Sequence, residues 1–433
     1  MDQTQADTRG DGQARALRIL VHDYGGYPFI AQLSRALAER GHHVLHLYAD
    51  GFRRPRGSMD VAAGDPVTRS MQPVRLNEPL QRSGYRRVLQ ERRYGRRLAD
   101  SITSFAPEAV ISANAPMDVQ AAALASAHDM GAAFLFWVQD LHSVAIARIV
   151  GRRLPFLGAL VASRFARLER RLLRESEAIV VISPAFLPAL REWGVAMEGV
   201  EVIENWAPLP GTTLPGKANA WASEHGLLNR RVVLYAGTLA LKHNPALLLE
   251  LASGLPEAMV VVVAEGPGAE WLRVHTRAME NLRLLPLQPY SRLPEVLASA
   301  DLLVAVLEPD ASAFSAPSKI LTYLAAGRPV LAAIAEENQA ARVILGASAG
   351  VVIHPSDSAG LIAATRQLLG DPESLRSAGE AGLAYAQQAF DIDRIGSRFE
   401  AVIWKALNRK SHSRLGVSAD TDQATDKSHG ANL

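Results

Sequence analysis

Short apolar runs alternate with helically spaced segments along most of this chain, and the alternation occurs twice, on either side of a Pro- and Gly-rich break. The first series predicts strands at Arg18–Asp23, Val44–Tyr48, Ala109–Ser112, Phe134–Val138, Ala178–Ile182 and Val200–Ile203. Between the first two, Ile30, Leu33 and Leu37 recur at helical spacing through Phe29–Arg40, and Gly41 stops the helix. The segment NWAPLPGTTLPGK, residues 205–217, breaks the pattern and reads as a linker. The second series predicts strands at Val232–Ala236, Met259–Ala264, Asn281–Leu285, Leu302–Val306, Pro329–Ile334 and Gly350–Ile353. Alternating strand and helix call for parallel sheets covered on both faces, because each crossover lays a helix on the sheet. The expected fold class is α/β: two Rossmann-like domains facing a central cleft, with ligands beyond the C-terminal ends of the strands.

The 433 residues suit two or three domains, and with 48% apolar residues a large core can be buried. Residues 1–14 are polar and read as a disordered N-terminus, without the apolar stretch of a signal peptide. Residues 15–204 form the first domain, 205–217 the linker and 218–390 the second domain. A final helix is expected over 391–407, with Phe399, Val402, Ile403 and Leu407 on its apolar side, and a disordered tail over 408–433. A net charge of +2 gives no general argument for nucleic acid, and the basic stretches lack aromatic residues placed for base stacking. Cysteine is absent, which excludes disulfides, a thiol nucleophile and cysteine-based zinc sites. No apolar run reaches the ~18–20 residues that span a bilayer, so a cytoplasmic protein is expected.

Five segments carry chemistry. In SAPSKILTYLAAGRPV, residues 315–330, Pro317 suits a first helical turn, Ser315 or Ser318 can cap it, and Gly327 with Arg328-Pro329 ends it. A helix start beside Lys319 is a ready site for a diphosphate, and an ordinary capped helix is the plain alternative. Gly25-Gly26 follows the first strand, where glycine lets backbone approach a ligand, although the spacing is short of GxGxxG. Gln139-Asp140-Leu141-His142 closes the strand Phe134–Val138, so Asp140 and His142 face the cleft unless Asp140 is merely a helix cap. Gly237-Thr238 begins a turn that ends at Lys242, a compact charge suited to phosphate, or else a solvated surface lysine. Glu265-Gly266-Pro267 closes the next strand and can contact a nucleoside or simply turn the chain.

Taken in order, GGYPFIAQLSRALAERGHHV, YAGTLALKHNP, AEGPG and APSKILTYLAAGRPV resemble the GT-B glycosyltransferases of family 4 over roughly Arg18 to Leu407. The likeness is greatest to the colanic-acid, O-antigen and exopolysaccharide type, which carries a PSK-like helix start and a VQDLH-like loop. It implies a retaining transferase that uses a nucleotide-sugar, UDP-linked, and a lipid-linked or saccharide acceptor in bacterial surface polysaccharide biosynthesis. By the same resemblance Lys242 and Gly237 hold the donor diphosphate, and Glu265, Gly266 and Pro267 lie near the nucleoside. Ser315, Ala316, Pro317, Ser318 and Lys319 present the helix amides, and Gly25 and Gly26 approach the phosphates and the transferred sugar. Asp140 and His142 are candidates for orienting sugar or acceptor.

The chain departs from the family pattern at three positions: Phe314 and Thr322 stand where two glutamates are usual, and Thr238 where an arginine is frequent. Thr322 can replace only part of a carboxylate that accepts from ribose hydroxyls. No DxD lies at a plausible strand end, so a metal-independent mechanism without cofactor is expected. The arginine-dense stretches Arg82–Arg97 and Arg148–Arg174 suit either solvated helices or peripheral attachment to the inner-membrane surface. The rival readings are a UDP-sugar epimerase of the same fold, a weak binding subunit that recruits a partner transferase, and, less favoured, a nicotinamide oxidoreductase.

Overall fold

The computed structural model describes residues 15–51, 61, 63–76, 78, 84–143, 155–208, 215–276, 279–309 and 318–426. Its first sheet contains β1 (Arg18–Asp23), β2 (His43–Ala49), β3 (Arg69–Val74), β4 (Ala109–Ala113), β5 (Ala133–Val138), β6 (Ala178–Val181) and β7 (Val200–Val202). These strands are parallel and ordered β3-β2-β1-β4-β5-β6-β7. The second sheet contains β8 (Val232–Thr238), β9 (Met259–Glu265), β10 (Leu282–Leu285), β11 (Leu302–Val306), β12 (Val330–Ala333) and β13 (Gly350–Ile353). It is also parallel, in the order β10-β9-β8-β11-β12-β13. Central strands such as β5 and β9 are almost wholly apolar because helices cover both faces.

Both sheets are therefore the two Rossmann-like halves expected. Strand order reverses between β1 and β4 in the first and between β8 and β11 in the second. A crevice opens at each reversal because the two connections leave toward opposite faces. One strand escapes the sequence pattern: β3 (RSMQPV) lacks an apolar run and contains Pro73. It is an edge strand paired with β2 alone, where a missing ladder N–H is tolerated.

The chain returns to its first domain at the end. The last helix is Ile392–Asp426, so it begins as expected but continues past Leu407 into the segment read as a tail. Phe399 is fully buried on this helix, 4.7 Å centroid to centroid from Trp137 of β5. Trp206 of the linker stacks on Trp137 at 5.7 Å and 15°, and Phe29 closes the cluster edge-on at 5.3 Å from Trp206. Polar ties fasten the same helix: Arg40 donates to the Asp393 carbonyl and the Ser397 hydroxyl, both at 2.6 Å, and Arg398 pairs with Glu201 at 2.8 Å. Phe399→Ala should destabilise the protein by about 3–5 kcal/mol, the range for an aromatic removed from a packed core. Denaturant unfolding checks this, and a loss under ~1 kcal/mol would contradict the packing role assigned to Phe399.

Candidate functional site

On the second domain the site starts from the end of β8. Gly237 has φ +124°, a conformation that side chains disfavour, and a Cβ there would lie 3.5 Å from Lys319 Cε. The chain then turns through Leu241–His243, where the Ala240 N–H donates to His243 Nδ1 at 3.0 Å. Burial, with the charges of Lys319 and Lys242, pushes the His243 imidazole down to about 3, so it stays a neutral acceptor that fixes the turn. Lys242 is thereby presented to a cavity of about 490 Å3, also lined by Gly237, Thr238, His243 and Lys319. Leu287, Gln288, Tyr290, Leu293, Val296 and Leu297 line the same cavity. An apolar wall with one amide and one phenol beside two ammonium groups suits a planar base joined to an anion.

Lys319 is held by a tether that joins residues distant in sequence. Its Nζ donates to the Tyr235 hydroxyl and sits 4.0 Å from the centre of that ring. Tyr235 in turn donates to the Thr238 carbonyl at 2.9 Å. Tyr323, one turn along the helix Lys319–Ala325, accepts from the Ala236 N–H at 2.9 Å and donates to the Ala236 carbonyl at 3.1 Å. The helix start and the β8 loop thus form one unit. Ser318 makes no side-chain cap with the described residues, which departs from the expected capping role. Ser315, Ala316 and Pro317, with Phe314, lie outside the described residues.

On the first domain, Asp23 ends β1 fully buried. It accepts from the N–H groups of Gly25, at 3.0 Å, and Tyr27, and burial pushes its carboxyl up to about 7. Gly26 has φ +66°. The Tyr27 ring occupies the place of a side chain at Gly25: a Cβ there would meet it at 2.0 Å. The loop therefore offers Tyr27, Pro28 and Phe29 to the cleft, and Gly25 and Gly26 are not among the described residues lining either cavity. After β5, Gln139 and Asn205 exchange amide hydrogen bonds at 3.2 and 2.6 Å, tying the loop to the linker. Asp140 opens into an interdomain cavity of about 670 Å3. Burial raises the Asp140 pKa, the nearby His142 and Lys242 oppose the rise, and Glu169 adds to it. His142 lines neither cavity; its N–H donates to Glu169 at 2.8 Å, and its buried Nδ1 has no partner among the described residues.

The two cavities share Tyr27, Tyr290, Ser318 and Thr322, so together they form one continuous groove. Of the residues anticipated from sequence, Gly237, Thr238, Lys242, Ser318, Lys319, Thr322 and Asp140 meet there. Glu265, Gly266 and Pro267 lie behind the β8 loop instead: the Glu265 carbonyl accepts from Leu239 at 2.9 Å, and the Leu239 carbonyl lies 2.9 Å from a Cβ on Gly266. Tyr27, Asn114, Asn205, Tyr290, Asn338 and Arg342 were missed. Asn114 and Tyr290 follow β4 and β10, so the rule that ligands bind beyond strand ends would have found them.

Lys319 also makes a prediction about stability. Burial, then the neighbouring charge of Lys242, pushes its ammonium from 10.5 down to about 7. Between those values the unfolded chain holds a proton that the folded protein lacks, so this lysine makes stability rise with pH across that window. The increase between pH 7 and 10 should be smaller in Lys319→Met than in the wild type, by denaturant unfolding at each pH. Equal increases would contradict the depressed value.

Comparison with known proteins places these observations in a family. Residues 25–206 match the glycosyl transferase 4-like domain, and residues 230–371 match the glycosyl transferases group 1 domain. No curated protein sequence matches the chain. Among solved structures, Anabaena Alr3699/HepE in complex with UDP is 15% identical, covers 89% of this chain and 99% of its own, and superposes with a TM-score of 0.64. Sucrose-phosphate synthase from Thermosynechococcus elongatus is 17% identical, with 93% and 99% covered and a TM-score of 0.65. WaaG, a glycosyltransferase involved in lipopolysaccharide biosynthesis, is 16% identical, with 89% and 99% covered and a TM-score of 0.63. At such identities the likeness establishes the two-domain fold, and the two domain matches establish the class. With one glycosyltransferase domain on each side of its cleft, the chain is a GT-B glycosyltransferase.

Proposed function

We propose that the protein moves a sugar from a UDP-sugar, with retention of configuration, to a lipid-linked or saccharide acceptor in bacterial surface polysaccharide biosynthesis. The observation that carries this reading is the convergence of Lys242 and Lys319 on one cavity whose further lining, mostly apolar with Gln288 and Tyr290, suits a nucleoside. Two ammonium groups side by side repel each other, and a bound diphosphate relieves that repulsion. The UDP complex of the similar HepE fold and the lipopolysaccharide role of the similar WaaG fold support the donor and the pathway.

In this reading the diphosphate lies between the two lysines and the sugar extends past Thr322 and Tyr27 into the larger cavity. As the glycosidic bond breaks, negative charge grows on the β-phosphate, and fixed cations there lower the barrier. The acceptor hydroxyl attacks from the same side, and the departing diphosphate takes its proton. Asp140 orients the sugar or acceptor from the first domain. Thr322 gives the ribose a hydroxyl in place of a carboxylate.

Membrane attachment belongs to the same proposal. On the helix Tyr85–Phe105, Tyr85, Val88 and Leu89 are 72%, 39% and 46% exposed, and they sit among the exposed Arg86, Arg87, Arg92, Arg93, Arg96 and Arg97. An exposed apolar turn ringed by arginines suits an anionic lipid surface. In the second arginine-dense stretch, residues 144–154 lie outside the described residues, Phe165 packs on the core and Leu160 is 66% exposed.

Two measurements follow. UDP at ~100 times its dissociation constant should stabilise the wild type by about 2.7 kcal/mol, seen as a melting shift. That shift should be lost in Lys242→Ala, and a wild type that responds to no nucleotide would overturn the donor assignment. The protein should co-sediment with phosphatidylglycerol vesicles at low salt and not with phosphatidylcholine vesicles. Arg92→Gln with Arg96→Gln should weaken this by about 1 kcal/mol per residue. Equal recovery on both lipids, or on neither, would refute the attachment.

A further inference from the structure

The loop that carries Asp140 is held at its far end by a carboxylate with no assigned role so far. Glu169 lies on the helix Pro155–Glu175 and is fully buried. One oxygen accepts from the His142 N–H at 2.8 Å; the other accepts from the Ser143 N–H at 3.0 Å and from the Ser143 hydroxyl. A buried carboxylate must be compensated, and three donors from two adjacent residues satisfy this one. At the near end, the Gln139–Asn205 amide pair fixes the same loop to the linker. Asp140 is caught between these two fastenings and opens to the cleft.

We infer that Glu169 is a positioning residue for glycosyl transfer: it sets the conformation of the loop Gln139–Ser143, and with it the place of Asp140 in the cleft. The inference rests on the proposed role of Asp140. His142 and Ser143 open a helix, so their N–H groups have no acceptor within it, and Glu169 supplies one for each, which fixes where the preceding residues, Asp140 among them, enter that helix. Its charge also acts on Asp140, whose other charged neighbours are His142 and Lys242. Glu169 opposes ionisation of Asp140 and Lys242 favours it, so removing the Glu169 charge lowers the pH at which Asp140 ionises.

The test uses the full-length chain, Glu169→Ala, Glu169→Gln and Asp140→Asn. Amide hydrogen exchange across residues 139–143, UDP affinity, and UDP release from UDP-glucose, UDP-galactose and UDP-N-acetylglucosamine are measured from pH 5 to 9. Glu169→Ala should exchange the His142 and Ser143 amides at least tenfold faster and lower turnover at least tenfold, with UDP affinity within twofold of wild type. Glu169→Gln should keep part of the protection and move the acid side of the rate profile to lower pH. Wild-type exchange in Glu169→Ala would overturn the inference whether or not one of these sugars is the donor. So would a loss of UDP affinity in step with melting temperature, which marks a merely structural role. Fast exchange with unchanged turnover in both Glu169 variants, while Asp140→Asn is inactive, would overturn the positioning role and leave the cleft reading standing. An Asp140→Asn variant as active as wild type would remove the reading itself.

Discussion

Trp206 lies flat against Trp137, with Phe399 packed beside the pair, and the shape of the cleft follows from that cluster. The three rings come from the linker, from β5 and from the last helix, so one apolar cluster fixes the point where the chain leaves its first domain and the point where it comes back. The Trp206 indole N–H donates to Gln32 at 2.8 Å, which sets the ring's orientation as well as its depth. Asn205, the preceding residue, reaches the loop of Asp140. The aromatic packing that joins the domains is thus one residue away from the polar pairing that shapes the first domain's side of the groove.

The second domain's side is organised by charge. Lys242 stands on a turn held by a neutral histidine, and Lys319 is tethered by a tyrosine, close enough that the charge of Lys242 acts on it. Such an arrangement is unfavourable in the empty protein and is relieved by a polyanion, which makes it a poor structural device and a good binding one. The first domain contributes groups of opposite character: a carboxylate, amides and the Tyr27 ring. Under the proposed function, donor recognition falls to the lysines of the second sheet and sugar recognition to these groups of the first.

Much of this was legible from residue order, for identifiable reasons. Short apolar runs mark β1, β11 and β13, which were located to the residue, while the edge strand β3, with its Pro73, carried no such mark. Lys242 could be found because a glycine turn at a strand end is a local signal. The Tyr235–Lys319 tether could not, because it joins residues 84 apart and Tyr235 reads simply as core. Gly25 was legible as a glycine that matters, but the space it leaves is filled by the Tyr27 ring. Glu169 reads as one more charge on an arginine-rich helix, and its partners appear only when that helix packs against the β5 loop.

The central claim is that one diphosphate is held by two lysines, one on the turn after β8 and one at the start of the helix Lys319–Ala325. A crystal structure of the full-length protein with UDP tests it most directly. The account predicts diphosphate oxygens within ~3.2 Å of both Lys242 Nζ and Lys319 Nζ, with the uracil against the wall of Gln288 and Tyr290. UDP seated in the groove without touching both lysines, or bound outside it, would contradict the account.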